Sequence, residues 1–351
     1  MPRLRRRHFL QLAGASLGAI ALNPLIHQGD RFNQAMAQTT GKKLALLVGI
    51  NQYPGSIGSL GGCINDLRLQ YKLLVHRYGF DPQNIVVVAD ENTTFNLPVK
   101  ELISPPTRQA ILDAFQTHLI AQAEPEDAVI FHYSGHGTYV NDPHPIVYPS
   151  GQDYLNFSTY DGFDNKDGAL VPFDAKDGVG AGEANVILGS TIFLLSYALK
   201  TENVTLILDS CYSGGGVRGN LIYRATLDEN TSPSQVERDF QEQLIQNLDL
   251  TRAKVQELRQ AGIAKGVAMT AARATQTSAE TMAVSNFRAG IFTYLLTRYL
   301  WQTNTARPVA ESFINLARIT QSEIDKFGGA QNPIYFAKPN SGLENRPPYL
   351  L

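Results

Sequence analysis

Runs of consecutive apolar residues alternate with amphipathic stretches from Lys43 onward. The run Lys43 to Ile50 (KLALLVGI) has no polar alternation, which predicts a strand buried on both faces. Asn65 to Tyr78 carries Leu67, Tyr71, Leu74, Val75 and Tyr78 at helical spacing. Asn84 to Ala89 predicts a second strand, and Thr107 to Ala123 a second helix with Ile111, Leu112, Phe115 and Leu119 on one face. A third strand, Asp127 to Gly137 (DAVIFHYSGHG), runs into His136. A polar excursion then extends from Thr138 to about Gly189. A helix over about Ser190 to Lys200 leads into a fourth strand, Val204 to Leu208, which ends in Asp209, Ser210 and Cys211.

Residues 218–262 are charged, glutamine-rich and helical in pattern, with room for a nick or mobile linker. Gly266 to Ala272 predicts a further strand, Phe287 to Trp301 and Val309 to Phe327 closing helices, and Pro333 to Leu351 an extended or loose tail. This βαβα order predicts an α/β fold with a mostly parallel sheet covered by helices on both faces.

Two strand ends carry the candidate chemistry. In an open parallel sheet the loops past the carboxyl ends of the strands gather on one edge. His136 follows one such end and Cys211 another, each beside glycines (Gly135, Gly137 and Gly214 to Gly216). A lone cysteine or histidine is usually a packing residue. Two of them at neighbouring strand ends suggest a thiol nucleophile with an imidazole base. The amides of Gly137 and Cys211 are candidate oxyanion donors.

Composition narrows the class. With 43% hydrophobic and 18% charged residues the chain has the make-up of a folded globular protein, and a net charge of -2 makes nucleic acid an improbable partner. Two cysteines form no disulfide scaffold, and their spacing fits no zinc site. The N-terminus stands apart: Arg5, Arg6 and Arg7 precede Phe9 and Leu10, an apolar stretch runs from Leu12 to Leu22, and Ala35-Met36-Ala37 offers a cleavage point. Residues 1–37 therefore read as a twin-arginine export signal, which predicts a periplasmic or otherwise exported protein with no stable membrane insertion once the signal is removed. Its removal takes away five arginines and Asp30 and moves the charge to -6.

The segments SGHG around His136 and DSCYSGG around Cys211 resemble the paired active-site motifs of the metacaspases and their bacterial relatives, the orthocaspases. Further matches in the same order are LLVGINQYPG, LGGCINDL, LVPFDA, TAARATQTSAE and GIFTYLL, from about Leu44 to about Phe336. The resemblance implies a caspase-haemoglobinase-like three-layer sandwich over residues 38–340. Its large part runs to about 217, a linker covers about 218–262, a small part about 263–340, and a Pro-rich tail 341–351. It implies a cysteine endopeptidase with His136 as base and Cys211 as nucleophile, cutting protein or peptide substrates after arginine or lysine, and a monomer. Asp66, Asp209 and Ser134 match the family's pocket positions. Paired carboxylates favour a guanidinium and repel an acidic side chain. Self-processing after Arg218 or Arg224 is a further expectation.

No cofactor is expected. The acidic stretch Asp161 to Gly168, with Asp174 and Asp177 beyond it, raises the possibility of calcium. It departs from an EF-hand loop because Phe163 takes the first ligand position when Gly168 is set at the turn, and Arg218 stands where calcium-dependent relatives tend to carry an acid. Cys63 either packs in the core or pairs with Cys211 in an oxidising compartment. The competing function is a non-catalytic caspase-like scaffold, against which the retention of both His136 and Cys211 weighs.

Overall fold

In a computed structural model of the chain, the residues described are 41–55, 57–90, 95–142, 166–175, 182–210, 217–218, 221–223, 231–272, 276, 278–284, 287–302, 307–327, 329–338 and 340–349. The central sheet uses β1 (Lys43–Gly49), β2 (Ile85–Ala89), β3 (Glu101–Ile103), β4 (Ala128–Ser134), β9 (Val204–Asp209), β13 (Val267–Thr270) and β16 (Ile334–Ala337). They are arranged in the order β16-β13-β9-β4-β1-β2-β3. All neighbours are parallel except β16, which runs antiparallel to β13. β2, β4 and β9 are buried along their whole length and β1 from Leu44 onward, which is why they read as mainly apolar runs without regular polar alternation.

Alternate residues of β1 point to opposite faces, as the pleat requires. Leu44, Leu46 and Val48 join a core with Phe115, Leu119, Ile192 and Leu195. Ala45 and Leu47 join another with Leu67, Tyr71, Leu74, Phe292 and Phe313. The first face is covered by α2 (Arg108–Ala114, continued by a π turn Phe115–Ile120), α3 (Gly189–Ala198), α4 (Gln235–Asn247) and α5 (Arg252–Gln260). The second is covered by α1 (Cys63–Tyr78), α6 (Ile291–Gln302) and α7 (Val309–Ile324). The result is a three-layer sandwich. No helix among the described residues is long and apolar enough to cross a membrane.

Three smaller sheets among the described residues sit around this frame. β5 (Gly137–Asn141), β6 (Lys166–Leu170) and β8 (Ile187–Leu188) are antiparallel and occupy part of the expected polar excursion. β7 (Glu183–Ala184) pairs with β12 (Ser232–Pro233). β10 (Val217–Arg218), β11 (Leu221–Tyr223), β14 (Ala279–Val284) and β15 (Phe287–Gly290) form the other antiparallel sheet. The closing helix therefore starts at Ile291 rather than Phe287. Phe287 to Gly290 is drawn into a strand by its partner β14.

Residues 231–262 are packed, not loose. Leu244, Ile245 and Val255 enter the core, and the Arg108 guanidinium forms a fully buried ion pair with Glu237. Glu237 also accepts from the Leu188 N–H (2.9 Å) and the Thr191 hydroxyl. Burial pushes its carboxyl above the ordinary value, and the Arg108 charge pulls it back. Arg238 pairs with Glu183, Arg252 with Glu242, and Arg259 is buried near Asp167. The C-terminal segment is packed as well. β16 lies on β13, and the buried Tyr349 donates its hydroxyl to Gln70 Oε1 at 2.8 Å.

Candidate active site

The carboxyl ends of β1, β4 and β9 meet in register. Ser134 faces Gly49 on one side and Asp209 on the other. Ile50 N–H donates to the Ser134 carbonyl at 3.0 Å, and Gly135 N–H to the Asp209 carbonyl at 3.4 Å. Gly135 is required by space: a Cβ there would lie 2.6 Å from the hydroxyls of both Tyr133 and Tyr53. Those two tyrosines build the seat of His136.

His136 is buried, and each part of it is held. Its N–H donates to Tyr53 Oη at 2.8 Å, and its ring lies against the Tyr53 ring with centroids 4.7 Å apart. Its carbonyl receives Val171 N–H at 3.1 Å, and the Tyr133 hydroxyl sits 2.8 Å from both the His136 and the Val171 carbonyl oxygens. Burial, then the neighbouring Tyr133 and Cys63, push the Tyr53 phenol well above its ordinary value, so it stays a neutral hydroxyl. The Nε2 atom of His136 stands 2.9 Å from the Gly58 carbonyl, which only accepts, so Nε2 carries the proton. In the neutral ring the basic lone pair is then on Nδ1. Gly58 adopts a left-handed φ of 85°, which lets the turn aim its carbonyl inward.

Two carboxylates flank Ser134, both with no solvent exposure. Asp66, in the first turn of α1, accepts from Ser134 Oγ at 2.7 Å and from Gly290 N–H at 2.9 Å. Asp209 accepts from Ser278 Oγ at 2.7 Å, Thr293 N–H at 3.0 Å and Thr293 Oγ1 at 2.6 Å. α1 can bring Asp66 this close because Gly62, before its first residue, packs on β15: a Cβ there would lie 2.9 Å from Ala289 Cα.

His136, Gly137, Ser134, Asp66 and Asp209 are thus gathered at one edge of the sheet, with Gly137 opening β5 opposite Leu170. Cys211, Gly214 to Gly216 and Arg224 lie outside the described residues. Arg218 is described only as backbone in β10, paired with Leu221. Cys63 is buried in the core, its N–H donating to Asn51 Oδ1 at 2.9 Å; the alternative, pairing with Cys211, involves a residue outside the described ones. In the acidic stretch, Asp161 and the residues up to 165 lie outside, as does Asp177. Asp167 accepts from Ser190, and Asp174 from Arg108 N–H and Asn185. The residues that hold the site, Tyr53, Tyr133, Gly58, Ser278, Thr293 and Glu280, were not singled out by sequence. Ser278 and Glu280 lie in the TAARATQTSAE match and Thr293 in GIFTYLL, the only signal that pointed to them.

A parallel αβα sandwich with a strand-end imidazole beside two buried carboxylates defines the caspase-like class of fold. Protein GSU0716 from Geobacter sulfurreducens shares that fold with a TM-score of 0.52 at 17% identity, covering 88% of this chain and 99% of its own. The profile of "Metacaspase, peptidase C14 domain" matches residues 43–218, and the chain belongs to the metacaspase family. It is 32% identical to Metacaspase-1 of Schizosaccharomyces pombe over 54% of this chain and 38% of that protein. It is 43% identical to Metacaspase-1 of Kluyveromyces lactis over 51% and 35%, and 35% identical to Metacaspase-4 of Arabidopsis thaliana over 49% and 34%. These matches span little more than a third of the length of the curated relatives.

Proposed function

We propose that this metacaspase is a cysteine endopeptidase that cuts after arginine or lysine. The observation that carries the reading is the Asp66–Ser134–Asp209 row: two fully buried carboxylates joined through the residue two positions before His136. Paired carboxylates at one strand edge favour a guanidinium or ammonium and repel an acidic side chain. In the proposed reaction His136 Nδ1 takes the Cys211 thiol proton, and the sulfur attacks the scissile carbonyl. The oxyanion is held by the amides of Gly137 and Cys211. The imidazolium then protonates the leaving amine, and water hydrolyses the thioester. The family membership and the placement of Asp209 two residues before Cys211 support this sequence of steps.

The proposal extends to the rest of the chain. Residues 1–37 direct export by the twin-arginine route, the mature protein works as a monomer of the orthocaspase type, and no metal ion takes part. Self-processing follows Arg218 or Arg224. The helical residues of 231–262 support that confinement, because Arg238, Arg252 and Arg259 are held on packed helices rather than on extended backbone.

The test compares fluorogenic arginine, lysine and aspartate peptides, with Cys211→Ala as control and terminal sequencing of both proteins. Arginine and lysine peptides are expected to be cut by the wild type alone, and new termini after 218 or 224 to appear only there. Equal cleavage by Cys211→Ala, or cleavage after aspartate, would overturn the reading.

A further inference from the structure

Glu280 is a buried carboxylate to which the mechanism above gives no task. It sits on β14 directly opposite Gly290 of β15. Its Oε2 accepts from the Gly61 N–H at 2.8 Å. Gly61 belongs to the turn Ile57 to Gly62, whose Gly58 carbonyl receives His136 Nε2, and which leads straight into the helix carrying Asp66. The opposite member of the cross-strand pair, Gly290, donates its N–H to Asp66. One pair on one hairpin therefore reaches both the base and the pocket.

We propose that Glu280 is a positioning residue: its hydrogen bond to Gly61 clamps the 57–62 turn and so fixes the carbonyl that orients His136. The turn needs such a clamp. It is tied by Leu60 N–H to the Asn51 carbonyl at 2.7 Å, but the residue whose carbonyl faces the imidazole, Gly58, is a left-handed glycine. Glycine carries the greatest backbone freedom to be restrained, and a carbonyl that drifts leaves the imidazole without its orienting partner. A charged acceptor on a backbone N–H is among the stronger hydrogen bonds available for this purpose. This inference rests on the peptidase reading for its kinetic consequences, though not for its geometry.

Three variants separate the clamp from mere charge or packing. Glu280→Ala removes the acceptor. Glu280→Asp keeps the charge but is a methylene too short to reach. Glu280→Gln keeps the reach without the charge. On an arginine peptide, E280A and E280D are expected to lose about tenfold or more in kcat with KM within about twofold, and E280Q to recover most of it. The Gly58 carbonyl accepts from the imidazolium as well, so loosening it makes the base easier to deprotonate and moves the acidic limb of the pH–rate profile to lower pH. Melting temperature and hydrogen exchange of the 57–62 peptide accompany the kinetics. Exchange in E280A and E280D should quicken at Gly61 while the melting temperature holds. NMR titration of His136 gives a readout independent of turnover: if the wild type cuts no arginine peptide, the peptidase reading fails, and the clamp is still judged by the titration and the exchange. Unchanged exchange and titration in E280A, or a rise in KM at constant kcat, would overturn the positioning role. So would E280D behaving like the wild type while E280Q fails.

Discussion

Replacing Asp66 or Asp209 by asparagine isolates the charge of the pocket from its shape. Asp209 Oδ2 receives Thr293 N–H and Thr293 Oγ1, and an asparagine Oδ1 can take over both. The new NH2 then faces Ser278 Oγ, a hydroxyl that can turn to accept. At Asp66 the same exchange keeps the Gly290 N–H bond and asks the Ser134 hydroxyl to turn. Folding should therefore survive, with stability changed by about 1 kcal/mol or less. A unit charge about 4 Å from a guanidinium at an effective dielectric near 20 interacts with about 4 kcal/mol, and losing one partner of a desolvated pair costs about 2–5 kcal/mol. With two carboxylates sharing one cation, about 2–3 kcal/mol for each is expected, a fall of about 30- to 150-fold in kcat/KM. The assay sets an arginine peptide against its citrulline counterpart, which has nearly the same shape and no charge. The wild type should prefer arginine strongly, each variant should lose that preference, and citrulline turnover should stay within about threefold. The double variant should fall by less than the product of the two, because both residues act on the same group. Equal losses on both peptides, or an arginine preference untouched by D66N and D209N, would refute the carboxylate floor.

Arg108→Ala should destabilise the protein by about 3–5 kcal/mol, since it strands the Glu237 carboxylate in its buried site with only the Leu188 N–H and the Thr191 hydroxyl. At about 2 °C per kcal/mol that lowers the melting temperature by about 6–10 °C, while R108M/E237Q, which removes both charges but keeps an acceptor for Leu188 and Thr191, should recover part of it. A loss under about 1 kcal/mol for R108A would mean that α4 is not part of the cooperative fold. Burial, and then the Lys100 ammonium, hold the His118 imidazole below its ordinary value of 6.5, while its Nε2 stands 3.1 Å from the Ala45 carbonyl and 3.0 Å from that of Asn84. The unfolded chain therefore takes up a proton more readily than the folded one, and stability falls as pH drops through 6.5 and below. The melting temperature of the wild type should fall more steeply between about pH 7 and about pH 5 than that of His118→Gln, and parallel slopes would count against it.

The central strands were legible because burial on both faces leaves no polar alternation: β1 and β2 read as mainly aliphatic blocks, and β4 and β9 as mainly apolar runs that turn polar at their carboxyl ends. The short antiparallel strands were not. KDGAL in β6 and FRAG in β15 have no strand signature, and each is extended because a distant partner supplies its ladder. Phe287 continues the helical spacing of Ile291 and Leu295 backwards, so local pattern placed it in the helix, and pairing with β14 overrode that. The tail was legible in part, since it is extended in β16, but it is packed rather than loose. Its prolines speak for loose chain, while Tyr349 is anchored on Gln70, 279 residues away.

The same division runs through the candidate site. His136, Asp66, Asp209 and Ser134 stand out because a strand end or a motif announces them, whereas the groups that hold them do not. Asp66 and Asp209 are isolated acids in the sequence, and a buried carboxylate without donors would be strongly unfavourable. Apart from Ser134, their donors Gly290, Ser278 and Thr293 arrive from residues 278–293, at separations of 224 residues for Asp66–Gly290, and 69 and 84 for Asp209–Ser278 and Asp209–Thr293. That region also presents Glu280 to the turn that orients His136. On the proposed reading, the pocket carboxylates and the base are therefore both reached by one late segment of the chain. Substitutions within it should move substrate preference and the pH profile together, although none of its side chains carries the reaction.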